Sequence, residues 1–163
     1  MRRDHPRATF ESGQAAVDQW LRRRALQSQE KHLSTSRVLI DGADRMVGFF
    51  TLSFGQVEFA ELPADLVKKL PHRALPVAVL AWLGVARERQ GQGIGARLLA
   101  QALVGCHTAG RTFPFIAVVL DCVDERSRDF YQRWDFRSLP GRPLRLFLPT
   151  SALEALATTD AGR

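Results

Sequence analysis

The sequence predicts an α+β fold, a central mixed and mostly antiparallel sheet with helices on both sides. Three observations predict it. A helix-period apolar segment near the N-terminus is followed by a hairpin signal; residues 77–86 form a nearly continuous apolar run; and a glycine-rich turn leads from that run into a second amphipathic helix. With 163 residues and apolar positions spread throughout, the chain is expected to be one domain, 1–163, with a core at about 8–157 and a tail, 158–163, that frays.

Taken in order, Ser12 is expected to cap a helix whose apolar positions Val17, Trp20, Leu21 and Ala25 recur at helical spacing. Arg22, Arg23 and Arg24 are consecutive, so they point in different directions and form no flat patch. Residues 37–40, the turn 41–44 and residues 46–52 read as a β-hairpin, and 56–59 as a third strand. Pro63 opens a short amphipathic segment through Leu70, which the prolines between 71 and 76 break. The run 77–86 suits a strand covered on both faces and is the expected central strand. A helix is expected over about 94–107, with Leu98, Leu99, Ala102, Leu103 and Cys106 facing inward, then a buried strand at 115–120. Asp124 caps a helix carrying Phe130, Tyr131 and Trp134. Short strands at 136–139 and 144–148 flank Pro140 and Gly141, and Ser151 with Glu154 predicts a capping box for a last short helix.

Composition narrows the function. No apolar run approaches the roughly 18 residues of a membrane helix, and the first residues lack a secretory hydrophobic segment, so a cytoplasmic protein without a membrane partner is expected. The two cysteines, Cys106 and Cys122, read as buried thiols. The four histidines are scattered without ligand spacing, so no metal is expected. A formal charge of +6, carried almost wholly by arginine, fits an anionic partner or simply a solvated arginine-rich surface.

The chemistry concentrates in Gln90, Gly91, Gln92, Gly93, Ile94, Gly95 and Ala96, which join the apolar run to the following helix. Glycines let the backbone approach a ligand and turn its N–H groups inward, while the new helix adds its positive end; together these suit a pyrophosphate. A P-loop would need Gly-Lys-Ser/Thr, which is missing. A relaxed dinucleotide fingerprint matches Gly91, Gly93 and Ala96, although such a turn normally follows the first strand of its unit. A ligand-free strand-to-helix turn is the third reading.

Gln90-Gly91-Gln92-Gly93-Ile94-Gly95 resembles the acyl-CoA motif, Gln/Arg-x-x-Gly-x-Gly/Ala, of the GNAT acetyltransferase superfamily. The aromatic-Tyr pair Phe130-Tyr131, on a helix after the next strand, resembles that family's second feature. Further segments, Phe10-Glu11-Ser12-Gly13, Val17-Asp18-Gln19-Trp20-Leu21, Val47-Gly48-Phe49-Phe50-Thr51-Leu52, Leu83-Gly84-Val85 and Leu144-Arg145-Leu146-Phe147-Leu148-Pro149, look like the toxin branch that acetylates aminoacyl-tRNA. Trp82 and Gly84 stand where that branch is expected to have arginine and alanine, and Trp134-Asp135 replaces a Phe-Gly-like pair.

The resemblance implies acetyl-CoA as cosubstrate, held by residues 90–96, by the main chain of Leu83, Gly84 and Val85, and by Asp124. One strand N–H would face the thioester oxygen, an arrangement worth roughly 2.7–4 kcal/mol by analogy with hydrolases. It also implies Tyr131 as general acid: a phenol with a pKa of about 10 stays protonated at neutral pH and can protonate a leaving thiolate. As the polar edge of a core aromatic pair, Tyr131 would have only a packing role. No acidic residue stands out as base, which mildly favours an α-amine, with a pKa of roughly 7.7–8.0, over a lysine at about 10.4. For a tRNA acceptor, Arg22, Arg23, Arg87, Arg89 and Arg137 are the candidate phosphate contacts, each equally readable as ordinary surface. The branch further implies a ribbon-helix-helix antitoxin and a homodimer. Two alternatives stay open at this level: acetylation of a small amine or protein terminus, and a CoA-binding antitoxin partner without turnover.

Overall fold

The computed structural model describes residues 1–160. The secondary structure consists of α1 (Ala15–Gln19), a π-helical turn (Trp20–Arg24), α2 (Ala25–Glu30), β1 (Thr35–Ile40), β2 (Met46–Val57), α3 (Ala64–Val67), β3 (Leu75–Val85), α4 (Ile94–Gly110), β4 (Ala117–Asp121), α5 (Glu125–Gln132), β5 (Arg137–Leu139), β6 (Arg142–Pro149) and α6 (Thr150–Asp160). Short 3-10 turns lie at Phe59–Glu61 and Arg87–Arg89. The six strands form one mixed sheet in the order β1-β2-β3-β4-β6-β5. The pairs β1–β2, β4–β6 and β5–β6 are antiparallel, and β3–β4 is parallel, so the α+β expectation holds.

By its internal contacts the chain groups into two compact units, Met1–Ser53 with Leu80–Ala102, and Phe54–Val79 with Leu103–Arg163. Phe10, Val17, Leu21, Ala25, Met46, Phe49 and Ala86 form the core of the first. Phe10 and Phe49 meet edge to face there, with centroids 5.5 Å apart. The second is organised around Val57, Leu62, Val67, Leu75, Val77, Ala117, Val119, Leu139 and Phe147. Burial of a side chain such as Phe49 or Phe147 stabilises by about 1.5–3 kcal/mol. The five α4 residues expected to face inward are all buried, as the 3.6-residue period requires.

Several local expectations are corrected. Residues 56–59 are not a separate strand, because β2 runs unbroken through Ser53, Phe54 and Gly55. Gly55 marks a close approach instead of a turn: a Cβ there would lie 3.0 Å from Val79 Cγ2. The first helix begins at Ala15 behind Gln14, and Ser12 serves a loop, its N–H and Oγ donating to Asp18 Oδ1 at 2.8 and 2.6 Å. The last helix starts at Thr150, whose N–H and Oγ1 both donate to the Ile116 carbonyl oxygen, so Ser151 lies inside the helix and caps nothing. It also runs on to Asp160, past the expected end of the core; the rest of the expected frayed tail, 161–163, lies outside the described residues.

Candidate active site

The turn after β3 is built by glycine. Gly91 and Gly93 adopt φ of +74° and +78°, a left-handed region costly to any residue with a Cβ, and a Cβ at either would meet no heavy atom within 4 Å. The two glycines alternate with ordinary residues, which turns successive N–H groups toward one side, and the space beside them is open. The first α4 hydrogen bond runs from Arg97 N–H to the Gly93 carbonyl. The N–H groups of Gly93, Ile94, Gly95 and Ala96 therefore precede the first intrahelical bond, at the positive end of a 17-residue helix. Exposed main chain, left-handed glycines and a helix N-terminus fit a diphosphate.

Gln90 plays a different part from its neighbours. Its Nε2 donates to the carbonyl oxygens of Ser12, at 2.7 Å, and Val85, at 3.0 Å. Arg87 N–H donates to the Glu11 carbonyl at 2.8 Å, and Arg22 Nη2 donates to the Phe10 carbonyl. These bonds, with the buried Ser12–Asp18 pair, pin residues 10–14 against the loop that opens the glycine turn. The role of Asp18 went unread in the sequence, because a carboxylate near a helix start ordinarily signals solvent or a helix dipole.

Within β3, Gly84 is buried and Leu83 and Val85 half-buried. A Cβ on Gly84 would lie 2.7 Å from Val17 Cγ1 and 2.8 Å from Phe49 Cε1, so the glycine that stands in place of an expected alanine is required by packing. Two residues earlier, Trp82 stacks on Trp20 with centroids 5.4 Å apart and an interplanar angle of 15°.

The second unit holds the remaining candidates. Tyr131 lies in the last turn of α5, 8% exposed, edge to face with Phe130 and Phe136 at 5.1 and 5.8 Å. Burial, with a smaller contribution from Cys122, raises its pKa above the ordinary phenol value, so the hydroxyl keeps its proton. Asp124 accepts from Ser127 N–H at 2.8 Å and Ser127 Oγ at 2.7 Å, fixing the start of the helix that carries Tyr131. Burial pushes the Cys122 thiol up to about 11 and that of Cys106 up to about 12, which suits neither as a thiolate nucleophile.

The candidate phosphate-binding arginines divide. Arg22 and Arg87 hold the 10–14 loop, Arg87 also lying over Gly13, where a Cβ would be 3.1 Å from its Nη2. Arg23 is exposed on the π-helical turn. Arg89 lies 3.8 Å from Asp41 and leaves its Nε buried without a hydrogen-bond partner. Arg137 pairs with Asp65 at 3.3 Å and covers the Phe147 ring at 4.8 Å. Among the described residues no helix is long and apolar enough to cross a membrane, and no group of three or more His, Cys, Asp or Glu is placed to hold a metal ion.

A left-handed glycine turn and an open helix N-terminus after β3 define a diphosphate-binding class of site, and comparison with known proteins supplies the family. Residues 35–138 match the Acetyltransferase (GNAT) domain family, and the chain belongs to the GNAT acetyltransferases. It is 34% identical over 149 residues to a tRNA-acetylating toxin of Mycobacterium tuberculosis, covering 91% of this chain and 88% of that protein. Among solved structures it resembles AtaT complexed with acetyl-methionyl-tRNAfMet, with a TM-score of 0.85, 26% identity, and 94% and 92% of the two chains covered. It likewise resembles AtaTR bound with AcCoA, with a TM-score of 0.83, 26% identity and the same coverage.

Proposed function

We propose that this chain is an acetyl-CoA-dependent N-acetyltransferase that acetylates the α-amine of aminoacyl-tRNA, and that it acts as a translation-blocking toxin. The observation that carries the reading is the left-handed Gly91–Gly93 turn at the start of α4, set within a chain similar along nearly its whole length to a tRNA-acetylating toxin. The likeness to AtaT with an acetylated initiator tRNA and to AtaTR with AcCoA supports both substrates.

In this reading the whole of 1–163 is one acetyltransferase domain. Acetyl-CoA supplies an activated acyl group. Main-chain N–H groups of Gly91, Gln92, Gly93, Ile94, Gly95 and Ala96 bind its diphosphate, and Gln90 and Asp124 position the elements around it. Main-chain groups of Leu83, Gly84 and Val85 bind the pantetheine arm and polarise the thioester carbonyl. Tyr131 holds a proton for the thiolate that leaves. A neutral α-amine needs no strong base, because a substantial fraction is unprotonated near pH 7.5. Arg22, Arg23, Arg87, Arg89 and Arg137 contribute a positive field for the tRNA backbone, so acceptor binding weakens as salt rises. A ribbon-helix-helix antitoxin, a homodimeric state and a cytoplasmic site of action complete the proposal.

Cell-free translation tests it. Added protein is expected to arrest synthesis only when acetyl-CoA is supplied, and restored synthesis is expected on adding freshly charged tRNA after removing the enzyme. Arrest that is indifferent to acetyl-CoA, or no arrest in its presence, contradicts the proposal.

A further inference from the structure

Three successive carbonyl oxygens, those of Phe10, Glu11 and Ser12, accept from three different donors: Arg22 Nη2, Arg87 N–H at 2.8 Å and Gln90 Nε2 at 2.7 Å. Two of these donors belong to the segment that leads into the glycine turn, so residues 10–14 act as a template for its start. The template has no regular secondary structure of its own, and Gly13 within it sits at φ +90°. Asp18 holds it in place. Its Oδ1 accepts from Ser12 N–H at 2.8 Å and from Ser12 Oγ at 2.6 Å, and its own N–H donates to the Gln14 carbonyl at 3.1 Å. Asp18 and Ser12 are each 7% exposed. Hydrogen bonds to a carboxylate are roughly twice as strong as neutral ones, and a buried carboxylate is costly unless it makes them.

Ser12 is therefore held from both sides, its N–H and hydroxyl by Asp18 and its carbonyl by Gln90. The Gln90 amide also donates to the Val85 carbonyl at 3.0 Å, which carries the constraint to the end of β3. We propose that Asp18 is a positioning residue for the acetyl-CoA site: acting through Ser12 and Gln90, it holds the glycine turn in the shape that binds the cofactor. The inference rests on the acetyl-CoA reading of that turn and assigns its rigidity to a residue outside it. A turn already in its binding conformation avoids the cost of ordering when the ligand arrives, so the effect falls on cofactor affinity. The transfer step keeps its rate once acetyl-CoA is bound, because Asp18 is buried beneath the loop and reaches no reacting atom.

A double-mutant cycle on acetyl-CoA affinity, measured by calorimetry well below the melting temperatures, separates positioning from bulk stability. Asp18→Ala is expected to weaken acetyl-CoA binding about fivefold, with kcat at saturating acetyl-CoA within about twofold of wild type. In a Gln90→Ala background the same change is expected to weaken binding by less than about twofold, because the link it acts through is already cut. Asp18→Asn keeps an oxygen that accepts from Ser12 and is expected to recover most of the affinity. Should Asp18→Ala fail to fold, Ser12→Ala, which loses the 2.6 Å bond and keeps the main-chain one, enters the same cycle with a smaller loss that also vanishes without Gln90. Unchanged affinity in the alanine variant, an equal loss in both backgrounds, or an asparagine variant as weak as the alanine one would assign Asp18 to stability alone and overturn the inference. Failure of the wild-type chain to bind acetyl-CoA would instead remove the cofactor reading on which it rests.

Discussion

The side-chain amide of Gln90 donates to the carbonyl oxygen of Ser12 at 2.7 Å, joining segments 78 residues apart in sequence. The same nitrogen reaches the Val85 carbonyl, so one group ties the end of β3 and the 10–14 loop to the start of the glycine turn. A net hydrogen bond is worth about 0.5–1.5 kcal/mol, and a partly exposed one falls low in that range. Gln90→Ala should therefore lower stability by about 1 kcal/mol and raise the KM for acetyl-CoA several-fold, with a smaller change in kcat. Chemical denaturation and steady-state kinetics check both, and a KM within error of wild type would remove Gln90 from the cofactor site.

Glycine substitutions should separate ligand approach from packing. Gly93→Ala places a methyl group in open space at φ +78°, which costs about 1–2 kcal/mol of backbone strain and puts bulk where the diphosphate would lie. Its acetyl-CoA affinity is expected to fall at least about tenfold. Gly84→Ala instead drives a methyl into Val17 and Phe49, an overpacking of about 1–3 kcal/mol that should appear chiefly in the melting temperature. Calorimetric titration beside thermal melts distinguishes the two; equal loss of affinity in both would contradict the assignment.

Tyr131→Phe removes a hydroxyl whose proton burial retains. Turnover is expected to fall about 10²–10⁴-fold with acetyl-CoA affinity nearly unchanged. The pH dependence has a definite sign. The folded pKa is raised above the ordinary value of 10.0, so the residue's contribution to stability is present below pH 10 and is lost as pH rises beyond it, where only the unfolded chain ionises readily. Wild-type stability should accordingly decline above pH 10 more steeply than that of Tyr131→Phe, measured by urea denaturation. Undiminished turnover in the variant would end the acid role.

Asp135, the exposed residue after α5, sits at φ +66° and its N–H donates to the Gln132 carbonyl. This is the left-handed helix stop that glycine makes without strain, which accounts for the Gly-like position in the resembling pattern. Asp135→Gly is expected to stabilise the chain by about 0.5–1 kcal/mol and raise the melting temperature, and Asp135→Val to lower it. A destabilised glycine variant would show that the aspartate side chain is needed there.

What the sequence revealed follows from the range of each interaction. The glycine turn was legible because a two-faced apolar strand, alternating glycines and an amphipathic helix are all local signals. Tyr131 stood out as the lone tyrosine beside a capped helix. The clamp of Gln90, Ser12 and Asp18 was hidden, since nothing local at Gln90 announces a partner 78 residues away. The Trp20–Trp82 stack was hidden for the same reason, and the π-helical turn that contains Trp20 was hidden because Val17, Leu21 and Ala25 stand at a four-residue spacing that an α-helix also gives. The separate strand expected at 56–59 is instead the end of β2, because whether a strand breaks or continues at Gly55 is decided by its tertiary contact with Val79.

The most direct measurement follows the acetyl group itself. Purified protein is incubated with labelled acetyl-CoA and charged tRNA, and the aminoacyl adenosine released by nuclease is analysed by mass spectrometry. Acetylated α-amine on charged tRNA, with none on the deacylated form, is predicted. Label appearing only on free amines or protein N-termini, or remaining wholly on coenzyme A, would contradict it.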